Sequence, residues 1–478
     1  MSVIAFCLLI CGLLLGCSNG GDTLSPTPPI HLKKYPDPYH IEIILKDVPV
    51  SPQGDLGTFP TRLDYQNGYL ITAYVDKAPT GQSEPELRQQ TIIMLGKFTP
   101  NGWQWQKHLI DAYTLKDPYH TQPSVAFDKE GYIHIAYGMH NMPWQYFRST
   151  KPYSIDAFEN LGTPLSIEQK RTIHYQNQTH FPQLNSGAIP YNQITYPRFF
   201  KDKKQTLYIT YRFALKPKLA WENRAFSEGL AQYNTETQTW HPIGGKVSLT
   251  SKEADFTQGE GQAYPFIYDH NHSPFFLPYW LELTFDHKNQ LYAIWSWRQG
   301  QAGKDTQDLS FVQSPNLQTF TNEKSQSYTL PINKPQTVPL TPARKKYFNT
   351  KHIQIFNGHP LILAESLEGT RELYYLSNQN QWQKLSSSPP QNGGEIMVTY
   401  QNTETLWSFA SGVIYKKTSI DKPWRQVASF DSAGKKMCFV QALPVEEQDA
   451  IFLYGKTCNS AEGAEASFSL FLLTGLTD

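Results

Sequence analysis

The sequence predicts an all-β fold, a seven-bladed β-propeller. Three observations carry this. A short apolar strand recurs seven times along the chain. Turns rich in Gly, Asn, Asp or Gln introduce the copies. Strands carrying or following a tryptophan close several of the units. Repeated strand, hairpin and Trp-ended strand suit stacked blades, each burying the face of its neighbour.

The copies run in order. They are GYLITAY (68–74), GYIHIAY (131–137), QTLYITY (205–211), QLYAIW (290–295), GHPLILA (358–364), ETLWSF (404–409) and DAIFLY (449–454). Several lead into a second strand, as at Gln145–Ser149 and Glu372–Ser377, and Trp103, Trp240, Trp382 and Trp424 close such units. Seven units leave about 60 residues per blade, long for four bare strands. The excess falls in the second to fourth units, and loops at one rim are where function concentrates. A β-sandwich or a pair of β-domains is the competing architecture.

Composition narrows the function classes. The chain has 478 residues, 42 Lys plus Arg against 42 Asp plus Glu, and 14% aromatic residues. Zero net charge argues against non-specific nucleic-acid binding, which needs a basic excess. Abundant aromatic rings suit sugar C–H faces as well as a core. Phosphate-cradling loops, zinc-type cysteine spacing and a Gly-x-Ser-x-Gly elbow are all missing from the sequence.

Residues 1–17 read as a signal segment. The apolar run from Ile4 to Leu15 is too short to span a bilayer. It ends in Leu14-Leu15-Gly16-Cys17 before a polar stretch, which resembles a bacterial lipobox with Cys17 lipidated. Basic residues do not precede the run, so an ordinary secretory signal is the alternative. Residues 18–37 read as a Pro-rich tether, and 38–478 as one propeller domain. The expected location is outside the cytoplasm, on a membrane through the lipid anchor, or secreted or periplasmic if the lipobox is unused. Of five cysteines, Cys438 and Cys458 remain for the folded body, an even pair suited to a disulfide in an oxidising compartment.

Four residues carry the expected chemistry. His120 and His140 flank one predicted β-hairpin, and histidine titrates near neutral pH. Ordinary core or surface positions are the plainer reading of such a pair. Tyr196 and Arg212 flank the inner hairpin of the next unit. Equivalent strand ends of neighbouring blades meet around one mouth, so the four groups are expected to converge. Together they suit β-elimination beside a uronic acid. Arg212 would offset the carboxylate, because a guanidinium stays charged and binds carboxylates bidentately. Histidine and tyrosine would serve as base and acid, with nearby positive charge lowering the tyrosine pKa.

These runs resemble a known family. Asp117-x-x-His120, the segment from Gly131 to Asn141, Thr195-Tyr196-Pro197, Tyr211-Arg212 and Ile294-Trp295-Ser296-Trp297-Arg298 are similar to the seven-bladed propeller lyases that act on ulvan. They also resemble the wider BNR-repeat-containing group. The motifs cover about residues 47–300, and beyond that the likeness rests on repeating strands. The resemblance implies a catalytic set of His120, His140, Tyr196 and Arg212. Arg212 would neutralise the carboxylate, Tyr196 and His120 would form the base–acid pair, and His140 would position the sugar or share the proton. It also implies a sulfated rhamnose beside the uronate. Asn141, Tyr264 and Arg298 are the candidate substrate contacts.

The implied chemistry needs no cofactor. His270 and His272 beside Asp269 are candidates for a structural divalent metal, with a solvated loop as the alternative. The expected partner is an anionic polysaccharide, and the expected state is a monomer. Two other readings remain open: a rhamnosidase-like glycoside hydrolase, and a non-catalytic glycan-binding lipoprotein.

Overall fold

A computed structural model describes residues 33–34 and most of 39–476. The interruptions are 52–54, 56–58, 78–88, 114–119, 167–188, 190–192, 217–218, 221–222, 254–261, 270–275, 300–305, 342–345, 367–369, 386–395, 400–404, 411, 430–436 and 458–465. Cys17, His270, His272 and Cys458 therefore lie outside the described residues, as does most of the 18–37 segment. Cys438 is in a disulfide. No α-helix occurs among the described residues.

The strands form seven antiparallel blades. Blade one is Leu63–Gln66, Tyr69–Lys77, Gln89–Thr99 and Gly102–Tyr113. Blade two is Ser124–Phe127, Ile133–Ala136, Tyr146–Ser149 and Phe158–Asn160. Blade three is Ile194–Lys201, Leu207–Ala214, Phe226–Asn234 and Thr239–Pro242. Blade four runs from Phe276–Phe285 through Leu291–Gln299 and Thr306–Ser314 to the short Phe320–Thr321. Blade five is Lys346–Phe356, His359–Ser366, Arg371–Leu376 and Trp382–Lys384. Blade six is Ile396–Thr399, Leu406–Ala410, Val413–Lys417 and Arg425–Ser429.

Blade seven closes the ring. Met437–Val445, Ala450–Thr457 and Ala466–Thr474 supply three strands. The fourth comes from the other end of the chain: His40–Val50 pairs with Ala466–Thr474 as the outermost strand.

Each of the seven repeated segments is the second strand of a blade. Their periodicity is weak because neighbouring blades cover both faces, so every residue of Leu207–Ala214 and Leu406–Ala410 is buried. The core is a series of apolar layers between blades. Tyr208 and Leu230 of blade three pack with Leu291 and Trp295 of blade four. Trp407 of blade six packs with Phe439 and Ile451 of blade seven. Burying one such side chain contributes about 1.5–3 kcal/mol. Outer strands read as polar because they face water, as in the exposed ends of Phe158–Asn160 and Trp382–Lys384.

Two turn chemistries set the inner hairpins. Blades one and five use Asn67-Gly68 and Asn357-Gly358, both with positive φ at each residue, as two-residue hairpins require. Blades two, three and four use an aspartate instead. Asp128, Asp202 and Asp286 each accept two backbone N–H groups of the turn through Oδ1. The other carboxylate oxygen meets the side chain six residues on: His134, Tyr208 or Tyr292.

Candidate active site

The expected four residues meet at one end of the inner strands, where blades two and three adjoin. His120 precedes the inner strand of blade two. His140 follows the second strand and begins His140–Met142, which leaves blade two and pairs with the inner strand of blade three. A row then runs across three strands. His140 pairs with Thr195, and Thr195 pairs with Arg212. The rings of His120 and His140 stack at 4.0 Å and 21°.

Tyr196 is turned out of that row. A register shift lies between Thr195 and Arg198, and Tyr196 has φ of 57°. Bulges re-aim side chains in this way, and a non-Gly residue there costs on the order of 1 kcal/mol. The Tyr196 ring lies 5.6 Å from His120 and 4.6 Å from Phe59.

Arg212 is 9% exposed. Its guanidinium lies 5.0 Å from the rings of both Tyr196 and Phe226. Nη2 donates to Asn141 Oδ1 at 3.1 Å and to Thr195 Oγ1 at 3.4 Å. Both acceptors are neutral. Among the described residues no ion pair involves Arg212, and its Nε has no hydrogen-bond partner. The contrast with Arg198 is direct, since that guanidinium is paired with Glu282. Arg212 is thus a largely dry cation with neutral hydrogen-bond acceptors, and the buried Glu228 stands opposite it on the next strand, with no ion pair between the two among the described residues.

Two expectations change. Asn141 was a candidate sugar contact, but it is 1% exposed and turned inward. It has φ of 56°, and its N–H donates to Thr195 Oγ1 at 2.7 Å. Its side-chain oxygen accepts from Arg212 and Thr195, so it holds the guanidinium in place. Tyr196 departs from expectation in acidity. Burial pushes its hydroxyl well above 10, the neighbouring Tyr279 adds to this, and Arg212 and Arg298 offset only part. Such a phenol holds its proton at neutral pH and suits an acid rather than a base.

Arg298 lies in the same region, with its guanidinium 4.0 Å from the Tyr279 ring. Tyr264 does not join the group by any described contact, and its hydroxyl donates to Gln262 Oε1 at 2.9 Å. His270 and His272 lie outside the described residues. Among the described residues, groups of three or more His, Cys, Asp or Glu placed to hold a metal are not found.

Three residues escaped the sequence reading. Phe59, from the segment before blade one, packs on Tyr196 and lies 5.5 Å from Trp280. Tyr279 hydrogen-bonds Tyr196, hydroxyl to hydroxyl, at 3.1 Å. Trp280 has φ of 62° beside a second register shift, between Tyr279 and Glu282. One signal existed: Trp280 stands as far before Leu291 as Tyr196 does before Leu207, so both blades bulge at the same point.

A polar cavity of about 700 Å³ opens at the opposite ends of the inner strands, lined by Asp64, Lys201, Asp202 and Glu446 among others. Lys201 pairs with Asp64 at 2.7 Å, so part of its charge is compensated internally. It is separate from the histidines and Arg212.

Solved structures share this architecture. The polysaccharide lyase Uly1 matches with a TM-score of 0.56 and 11% identity, over 92% of this chain and 99% of that one. A PL25 ulvan lyase matches at 0.58 and 12% identity, over 90% and 95%. A form of PL25 ulvan lyase bound to -[GlcA(1-4)Rha3S]- matches at 0.57 and 12%. At such identity the likeness is one of fold. No curated protein sequence matches the chain significantly. The model of the BNR repeat-containing family matches residues 72–388, which take in both histidines, Tyr196 and Arg212. A match over more than half of the chain, on a ring of seven repeated blades, makes this protein a member of the BNR repeat-containing family.

Proposed function

We propose that the protein is a polysaccharide lyase that cleaves ulvan, a sulfated rhamnose–uronic acid polymer, by β-elimination beside a uronate. One observation carries the reading: the Arg212 cation is largely buried, its hydrogen-bond acceptors are neutral, and it makes no ion pair among the described residues. A neutral sugar gives no reason to keep such a charge dry, whereas a uronate carboxylate completes it. The likeness in fold to ulvan lyases supports the substrate class.

Each group then has a role. Arg212 binds the carboxylate and stabilises charge building up on it when C5 loses its proton. An imidazole of the His120–His140 stack takes that proton. The C5–H electron pair becomes the C4=C5 double bond. The C4–O4 bond breaks with its pair on oxygen, and Tyr196 protonates O4. Arg298, over the Tyr279 ring, is a cation for an anionic neighbour such as sulfate. For the segment before the fold, we retain export with lipid attachment at Cys17.

Incubation with ulvan, followed by absorbance of the unsaturated uronate, tests the reading. A rise that Tyr196→Phe and Arg212→Ala each abolish, with the fold intact, is expected. New reducing ends without absorbance mean hydrolysis, and binding with neither means a lectin. Either result, or near-normal activity in either variant, overturns the proposal.

A further inference from the structure

We propose that Tyr279 is a positioning residue that donates its hydroxyl hydrogen bond to Tyr196, leaving the Tyr196 proton free for the leaving oxygen. The proposal rests on the lyase reading above, with Tyr196 as the acid.

The argument starts from the proton count. A phenol has one proton to donate and lone pairs to accept. The two hydroxyls lie 3.1 Å apart, and either is able to donate. If Tyr196 spent its proton on Tyr279, none would face the sugar. With the bond reversed, Tyr196 accepts from Tyr279 and points its own O–H at O4. Tyr279 raises the Tyr196 pKa as an accepting or ionised partner; as a neutral donor it instead stabilises the phenolate that forms when that proton leaves.

The surroundings favour this direction. Both rings are buried, and with Phe59 they form a small apolar cluster. Negative charge created there is poorly screened and depends on nearby donors and cations. Arg212 lies 5.0 Å from the Tyr196 ring, and Arg298 lies 4.0 Å from the Tyr279 ring. The pair thus sits between two guanidinium groups. The rings meet edge to face at 6.1 Å and 78°, which fixes the hydroxyls without a further linker. Burial also keeps Tyr196 protonated in the resting state.

The step is balanced. Tyr196 loses its proton to O4 as the C4–O4 bond breaks, and Tyr279 keeps its own proton throughout while bonding to the phenolate oxygen. Solvent later reprotonates Tyr196.

Tyr279→Phe removes one oxygen and retains the ring under Arg298. On ulvan, kcat is expected to fall about 10–100-fold, with KM within about twofold, because the lost bond matters only as charge develops. A second substrate separates acid assistance from general damage. A 4-deoxy-4-fluoro uronide eliminates fluoride, a leaving group that needs little protonation. On it, Tyr279→Phe is expected to match the wild-type rate within about threefold. An unchanged rate on ulvan, or an equal loss on both substrates, overturns the proposal. If the wild type forms no unsaturated product from any uronate polymer, the lyase reading fails first and this proposal falls with it.

Discussion

His120 and His140 stack ring on ring at 4.0 Å, although a whole hairpin separates them in sequence. The hairpin of blade two brings its two ends to one rim, and His140 then crosses to pair with blade three. One imidazole therefore belongs to each side of a blade junction. The row from His140 through Thr195 to Arg212 follows from that crossing.

Arg212→Lys tests whether geometry or charge alone matters. A lysine keeps the charge but cannot bond Asn141, Thr195 and a carboxylate in one plane. We expect kcat/KM on ulvan to fall at least about 100-fold with an unchanged circular dichroism spectrum. A loss of less than about threefold would show that charge alone suffices.

Asn141→Asp tests the role of the Arg212 cation. The new carboxylate occupies nearly the same volume and lies where Oδ1 already meets Arg212 at 3.1 Å. It neutralises the guanidinium before substrate arrives. Activity is expected to drop about 100-fold while thermal unfolding shifts by no more than a few degrees. Full activity in this variant contradicts the assigned role of Arg212.

Asp128→Ala tests the turn of the hairpin that joins the two histidines. Asp128 accepts from the N–H groups of Glu130 and Tyr132 at 3.0 and 2.9 Å and meets the buried His134 at 3.2 Å. Losing this acceptor leaves the buried His134 ring and two part-buried turn donors unsatisfied, at a cost of about 2–4 kcal/mol in urea unfolding. A change below about 0.5 kcal/mol would mean that water replaces the carboxylate.

Lys456→Met tests a partly buried charge on blade seven. Burial lowers the Lys456 ammonium from 10.5 to about 8, with Arg62 adding to the effect and Asp55 opposing it. Between those values the unfolded chain binds more protons than the folded one, so this group makes stability rise with pH. Its cost is full below about 8 and gone above 10.5. The variant is expected to melt higher than wild type at pH 7, and the gap should close as pH climbs through that window. A lower melting temperature at pH 7 would show that attraction to Asp55 outweighs burial.

The seven second strands were legible because each is sandwiched between blades and reads as apolar whatever its periodicity. The histidines, Tyr196 and Arg212 were legible as strand-end residues of adjacent repeats. Other features depend on distant packing. His134 lies in the same motif as His140, yet it is wholly buried against Asp128 and Tyr146, and only the aspartate six residues before it hints at this. Asn141 read as a sugar contact, because nothing in sequence tells an inward-turned left-handed residue from an outward one. Phe59 reaches the site from a segment before blade one. Burial reversed the expected acidity shift of Tyr196, and burial is a property of the assembled ring.

The strand His40–Val50 is a latch with a timetable. It is made before the first six blades, yet its partner Ala466–Thr474 is made only after them. Until then the circle stays open, and the apolar flanks of blades one and six await the seventh blade. Nascent chains ending before about residue 466 should therefore be captured by holdase chaperones and cut readily by protease, and both vulnerabilities should end together when the strand Ala466–Thr474 arrives.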